Sequence, residues 1–281
     1  MTLAITGATG QLGRLVINTL KTKTAPGGIV ALARALDKAA DLGVPARLFD
    51  YDAPETLAAA LEGIDTLLLI SGSDIGRRVA QHGAVIAATK AAGVRHIVYT
   101  SLLKAPHSTL GLAAEHVETE KLLAASGIGH TVLRNGWYTE NYAMGLPAAL
   151  EHNALIGAAK DGQISAAARQ DYAEAATAVL LDAGLQSKTY ELSGDESFTL
   201  AELAATLSAP VGKEVPYLDM PEADYAAALS GAGLPADLAG FLAHCDAEAA
   251  KGVLFDEDTQ LSALIGRPTT PLSKVIAAAI G

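Results

Sequence analysis

Three glycines near the N-terminus, Gly7, Gly10 and Gly13, recur at every third position. The apolar run Leu3-Ala4-Ile5-Thr6 leads into them, and a stretch follows in which Leu12, Leu15, Val16 and Leu20 share one helical face. A strand that turns through glycines directly into a helix is built to take a dinucleotide's pyrophosphate. The first glycine permits the sharp turn, the second lets the backbone approach the phosphates, and the third lets the helix pack against the strand. The helix start adds free N–H groups and the positive end of its dipole. Contacts are therefore expected along Gly7-Ala8-Thr9-Gly10-Gln11-Leu12-Gly13.

Cofactor choice is read from the next strand, residues 29–33, which ends at Arg34. Proteins that hold NAD place an acidic residue about 20 positions beyond the glycines, against the ribose 2′-hydroxyl. A guanidinium there matches a 2′-phosphate instead. NADP(H) is the expected cofactor.

The elements that must position these groups alternate along the first half. Strands are expected at 46–49, 66–70, 96–100 and 130–134, with helices at 54–61, 79–92 and 113–125. The run 66–70 is apolar throughout, as in a strand buried on both faces. This alternation predicts an α/β fold, a Rossmann doubly wound parallel sheet with helices on both faces. Ligands in such sheets lie outside the carboxyl ends of the strands. That rule brings Ser71, Gly72 and Ser73, then Thr100 and Ser101, then Asn135, Gly136, Trp137 and Tyr138 to one edge, with Asp50 and Asp52 near the adenine. Beyond residue 143 the rhythm changes. Helices are expected at 146–152, 172–181, 200–207 and 223–229, and isolated strands at 189–192 and 215–218. We read residues 1–143 as the NADP(H)-binding domain and 144–281 as a smaller C-terminal α/β substrate lobe. The boundary is soft, with some strands of the lobe rejoining the main sheet.

Composition narrows the classes. The formal charge of -11, with Arg77-Arg78 as the nearest thing to a basic cluster, gives no footprint for nucleic acid. One cysteine, Cys245, excludes an internal disulfide and a multi-cysteine metal site, and reads as a small, partly buried residue. No metal-ligand spacing is visible. No apolar run approaches the roughly 20 residues needed to cross a bilayer, and no leader peptide precedes the first strand. A cytoplasmic protein without membrane insertion is expected. Arg78 and His82 share a helical face, read as a solvated one.

The glycine turn, Arg34, Tyr99-Thr100-Ser101 and the segment Leu133-Arg134-Asn135-Gly136-Trp137-Tyr138-Thr139-Glu140-Asn141-Tyr142 together resemble the NmrA-like atypical short-chain dehydrogenase/reductases. Within them the chain is most similar to bacterial NADPH-dependent quinone oxidoreductases, with triphenylmethane dye reductases nearby. The likeness runs the whole chain and includes Leu264-Ile265-Gly266-Arg267-Pro268-Thr269-Thr270-Pro271-Leu272. It implies cofactor contacts at the glycine turn, at Arg34, at Ser71-Gly72-Ser73 and Ser101, and at Asn135, Gly136, Trp137, Tyr138 and Asn141.

Short-chain dehydrogenases use a Tyr-x-x-x-Lys pair in which the lysine tunes the tyrosine to exchange a proton with a carbonyl. Aligned on that pattern, this chain carries His116 in place of the tyrosine and Glu120 in place of the lysine. A sugar-nucleotide epimerase is disfavoured for the same reason. A quinone asks less, because its reduction gains aromaticity and yields a weakly basic hydroquinone anion. The protein then contributes chiefly the orientation of two flat rings in a dry crevice. Tyr138 and His116 are the candidate donors to the quinone oxygen. Two readings follow: an oxidoreductase passing hydride from NADPH to quinones or similar flat electron acceptors, or a non-catalytic NADP(H)-binding redox sensor. Either is compatible with a homodimer.

Overall fold

The computed structural model describes residues 1–280. In chain order the elements are β1 (Leu3–Ile5), α1 (Gln11–Lys21), β2 (Ile29–Ala33), β3 (Ala46–Leu48), α2 (Leu57–Ala60), β4 (Thr66–Leu69), α3 (Arg78–Ala91), β5 (His96–Leu102), α4 (Ala113–Ser126) and β6 (Gly129–Asn135). Then come α5 (Thr139–Ala143), α6 (Leu146–His152), β7 (Leu155–Gly157), α7 (Arg169–Leu181), β8 (Thr189–Leu192), α8 (Leu200–Val211), β9 (Tyr217–Asp219), α9 (Glu222–Gly231), α10 (Ala236–Ala249), α11 (Gln260–Ile265) and α12 (Leu272–Ile280).

Seven strands form one parallel sheet in the order β3-β2-β1-β4-β5-β6-β8. The order reverses between β1 and β4, and a crevice opens at such a point outside the strand ends. Every residue of β1, β2, β4 and β5 is buried, which is why these runs lack polar alternation. On one face α1 buries Leu12, Val16, Ile17 and Leu20, and one core joins them to Tyr172, Ala176, Tyr190 and Leu261. On the other face Leu57, Val85, Ile86 and Leu123 cover Leu67, Leu69, Ile97 and Tyr99.

The chain after residue 143 serves both regions. α7, β8 and α11 contribute to the first core. A separate core gathers Leu146, Leu155, Phe198, Leu203, Cys245 and Ile276 with Leu102 and Leu110, and β7 and β9 pair there as a two-stranded parallel sheet. α8 begins with a reciprocal capping box between Thr199 and Glu202.

Local differences from the sequence expectations have physical reasons. The helix expected over 54–61 is a 3-10 turn at Pro54–Thr56 followed by one turn of α2, stopped by Gly63 at φ 71°. α8 runs on to Val211 in spite of Pro210, which removes one i→i−4 bond near its end, and Gly212 at φ 65° then stops it. α10 escapes the periodicity reading because its buried face is made largely of Ala239, Ala243 and Ala249. Cys245 is fully buried there, and burial pushes its thiol up to about 12. Among the described residues no helix is long and apolar enough to cross a membrane.

Candidate functional site

The reversal between β1 and β4 carries a crevice of about 300 Å³. Its floor is the glycine turn. Gly7 has φ +57°, the left-handed region that glycine enters freely. A Cβ on Gly13 would stand 2.3 Å from the Gly7 carbonyl oxygen and 2.8 Å from Ala8 Cα. α1 starts at Gly10 with no side-chain cap and no acidic residue in its first turn. The free N–H groups and the positive dipole end therefore face the crevice uncompensated.

Of the residues expected at the cofactor, Gly7, Thr9, Gly10, Gln11, Leu12, Gly13, Arg34, Ser71, Gly72 and Ser73 line this crevice, with Asp50 and Asp52. Ala8 is fully buried behind the turn. Phe49, Tyr51, Asp74 and Gln81 also line the crevice. Gln81 was not expected; its amide N donates to Asp52 and Asp74, while its buried carbonyl oxygen has no partner. Tyr51 turns inward and donates to Thr6 Oγ1 at 2.6 Å.

The arginines single out Arg34. Among the described residues the other eight each reach a carboxylate or a carbonyl. Arg34 is exposed at the crevice wall and has no such partner. An unpaired guanidinium, a glycine floor that admits close backbone approach, and an uncapped helix start form a donor set suited to a phosphorylated dinucleotide.

The wall over β4 corrects the solvated-face reading of Arg78 and His82. Both are buried, at 5% and 0% exposure. The Gly72 N–H donates to His82 Nε2 at 3.1 Å, and Arg78 Nε donates to the Gly72 carbonyl at 2.9 Å. Arg78 pairs with Glu115 at 2.7 Å, and Glu115 also accepts the Gly76 N–H at 2.9 Å. His82 Nδ1 meets Thr119 Oγ1, whose own proton goes to the Glu115 carbonyl. The histidine thus donates from Nδ1 and accepts at Nε2, which requires the neutral ring. Burial, reinforced by Arg78, lowers its pKa to about 3. The i, i+4 spacing marked the pair, but its partners on α4 lie 37 residues away.

The remaining expected residues gather at the ends of β5 and β6. His116 is buried and hydrogen-bonded through Nδ1 to the Tyr99 hydroxyl at 2.7 Å, and burial lowers its pKa to about 3. Glu120 accepts the Ser101 hydroxyl at 2.6 Å and pairs with Arg134 at 2.6 Å; Arg134 also reaches Glu191 at 2.8 Å. Gly136 donates its N–H to the Leu192 carbonyl at 2.7 Å. Trp137 packs into the second core. Tyr138 lies under the Arg169 guanidinium, 4.5 Å from ring centre to Cζ, and edge-on to Tyr172. Burial raises the Tyr138 pKa, with Asn135 and Arg169 opposing. Asn135 is buried with an unpartnered Oδ1, and Asn141 Oδ1 accepts from Arg169 at 3.2 Å.

Comparison with known proteins follows this geometry. The profile of a family described as NAD(P)H-binding matches residues 7–183. Quinone oxidoreductase 2 of Escherichia coli (strain K12) is 53% identical over 277 residues, covering 98% of this chain and 97% of that protein. The crystal structure of an E. coli NADPH-dependent quinone oxidoreductase complexed with NADPH superposes with a TM-score of 0.97, at 52% identity and full coverage of both chains. Triphenylmethane reductase of Citrobacter sp., complexed with NADP(H), gives a TM-score of 0.97 at 36% identity, covering 99% of this chain and 100% of that one.

Proposed function

The chain belongs to the NAD(P)H-binding family, in its NmrA-like branch, and on that premise we propose that it is an NADPH-dependent oxidoreductase that reduces quinones or similar flat electron acceptors. The observation that carries this reading is the fate of the two positions where carbonyl-reducing relatives keep their acid–base pair. His116 is spent on Tyr99 and Glu120 on Ser101 and Arg134. Neither is free to move a proton, so the acceptor is one whose reduced form needs little protonation by the protein. The likeness to a quinone oxidoreductase over nearly the whole chain favours turnover over redox sensing.

NADPH supplies the hydride. In this reading the glycine turn and the start of α1 hold the pyrophosphate, and Arg34 meets the 2′-phosphate. Ser71, Gly72 and Ser73 form a wall that Arg78 and His82 fix in place. Asn135, Gly136, Trp137, Tyr138, Asn141 and Ser101 border the reacting end, past the ends of β5 and β6. Tyr138, kept protonated by burial, donates a hydrogen bond to the acceptor oxygen. His116 acts as an anchor for Tyr99. The cofactor domain consists of residues 1–143 together with α7, β8 and α11, and the rest forms the acceptor lobe. The working location is the cytoplasm, and a homodimer is an arrangement to be weighed by light scattering.

The test is loss of NADPH absorbance with menadione, 1,4-benzoquinone, a triphenylmethane dye and a simple ketone, with NADH in parallel. Protein-dependent oxidation with the quinones and none with the ketone is expected. Tight NADPH binding with no turnover on any acceptor would replace this reading with the sensor.

A further inference from the structure

Between β6 and α5 the backbone of residues 137–139 runs beside that of residues 166–168. The Ala167 N–H donates to the Trp137 carbonyl at 3.1 Å, and the Thr139 N–H donates to the Ala167 carbonyl at 3.0 Å. Tyr138 and Ala167 thus pair as a parallel bridge. The Tyr172 hydroxyl also holds the Trp137 carbonyl, at 3.2 Å. Two residues after Ala167 the chain enters α7 at Arg169. This pairing sets the Arg169 guanidinium over the face of the Tyr138 ring, with Cζ 4.5 Å from its centre. Tyr172, from the first turn of α7, meets the same ring nearly at right angles, with ring centres 5.2 Å apart. Two side chains of one helix therefore hold the ring that borders the reacting end.

The charge of Arg169 is poorly matched by its neighbours. Both oxygens of Glu140 accept the Arg169 backbone N–H, at 2.9 and 3.0 Å, and so satisfy the start of α7. The guanidinium itself stands 4.0 Å from that carboxylate. Every other arginine ion pair among the described residues closes to 2.9 Å or less. The Arg169 side chain donates instead to a neutral acceptor, Asn141 Oδ1, at 3.2 Å. It is 12% exposed, so water screens its charge little. A cation held over an aromatic face away from water acts on that ring more strongly than one at the surface. Burial raises the Tyr138 pKa and keeps the hydroxyl protonated, while Asn135 and Arg169 oppose the rise. Glu120 fills the place where a lysine would tune a tyrosine, and the cation beside Tyr138 comes from α7 instead.

We infer that Arg169 is a positioning residue of the reduction: it fixes the Tyr138 ring and strengthens the phenol hydroxyl as a hydrogen-bond donor to the acceptor oxygen. The inference rests on the reading that Tyr138 donates to that oxygen, and adds what tunes the donor. The acceptor gains a hydride from NADPH and becomes a hydroquinone anion, which takes its second proton from water. Its oxygen carries little charge before the transfer and much after it. A cation acting through the phenol therefore favours the transition state over the bound quinone. Such an interaction shows in kcat and leaves KM alone.

The test is a double-mutant cycle of Arg169→Met and Tyr138→Phe, read as menadione reduction at saturating NADPH. Arg169→Met alone should lower kcat about two- to fivefold, within the worth of one neutral hydrogen bond. The KM for menadione and the affinity for NADPH should not change. In the Tyr138→Phe protein the same substitution should leave kcat where it was, because the hydroxyl through which it acts is gone. Phenylalanine keeps a ring beneath the guanidinium, so a merely structural clamp would cost as much in that background as in the wild type. Arg169→Lys keeps the charge and should retain most of kcat. Arg169→Gln keeps a donor for Asn141 without the charge and should behave as Arg169→Met. Equal losses from Arg169→Met with and without the Tyr138 hydroxyl overturn the inference, as does an Arg169→Met protein with wild-type kcat. An Arg169→Lys protein as slow as Arg169→Met does the same. In each of these cases a loss in Tyr138→Phe alone leaves the donor reading standing. A Tyr138→Phe protein with wild-type kcat removes the donor reading and the inference with it. Wild-type protein that does not reduce menadione removes the acceptor reading itself.

Discussion

The two hollows of this molecule solve opposite problems. The crevice at the glycine turn is made from backbone N–H groups, an unpaired arginine and aspartates, on a floor of glycines. The cavity beneath α9 is made from aliphatic and aromatic side chains with one buried carboxyl. A ligand carrying several phosphate charges is held by fixed dipoles and a cation, which work near water. A neutral flat ligand is held by excluding water from its faces and satisfying its few polar atoms. The supports differ in protonation as well. The crevice wall stands on His82, with His116 beyond it, in their neutral forms, whereas the cavity holds an acid, Asp246, whose pKa burial raises to about 6.

That contrast predicts the largest effect, an acid response of opposite sign in the two regions. Both histidines have folded pKa values near 3 against an ordinary 6.5. Their stabilisation is therefore complete above pH 6.5 and is lost as the pH falls below it, because the unfolded chain binds more protons. From pH 6.5 to 5 the two together remove about 3 kcal/mol. Asp246, raised from 3.8 to about 6, works the other way and restores about 1 kcal/mol over the same drop. Urea unfolding at pH 5, 6.5 and 8 measures the net change. Titrations should show NADPH affinity falling with acid. Stability that is level from pH 6.5 to 5 would break the comparison.

The next two predictions act on the crevice alone. Gly13→Ala sets a methyl group against the Gly7 carbonyl, where neither backbone atom can yield without opening the turn. NADPH affinity should fall more than about a hundredfold, at least the size of a lost charge-assisted hydrogen bond with added strain. An unchanged affinity would show that the glycine turn does not hold the cofactor. Arg34→Ala removes the unpaired cation. NADPH should weaken by about ten- to thirtyfold, the worth of an exposed charge-assisted contact, and NADH should not change. Equal weakening of both cofactors would show that Arg34 does not read the 2′-phosphate.

The same contrast explains what the sequence could tell. The crevice is built from features that are local in the chain: a strand, a glycine turn and a helix start within residues 3–13, then an arginine at the next strand end. Ten of the expected contact residues line it together because backbone geometry alone brings them there. Its supports are not local. His82 and Arg78 were visible as an i, i+4 pair, but only the packing of α3 on α4 brings Glu115 and Thr119 to them. Glu120 stood out for replacing a lysine, and nothing in its neighbours announced Arg134 and Glu191 as partners. The cavity lay still further from view. Six elements spread from α5 to α10 wall it, and α10 packs through alanines that give no amphipathic stripe. Asp246 looks like any helix aspartate until that helix is buried.

The smallest predicted effect tests where the two regions meet. Tyr138 packs on the first core and its neighbour Trp137 on the second; Arg169 lies over the Tyr138 ring and Tyr172 at its edge, and Tyr138 lines neither hollow. Tyr138→Phe keeps the ring, and with it both contacts, and removes only the hydroxyl. If that hydroxyl donates to the acceptor oxygen, kcat with menadione should fall about two- to tenfold, the worth of one neutral hydrogen bond. NADPH affinity should not move. The effect is small because the hydroquinone anion is a weak base that takes its proton from water. A thousandfold loss would show instead that protonation limits the reaction and that Tyr138 is its obligatory acid. In that event the chemistry would lie at the seam between the two cores, where Tyr138 is held.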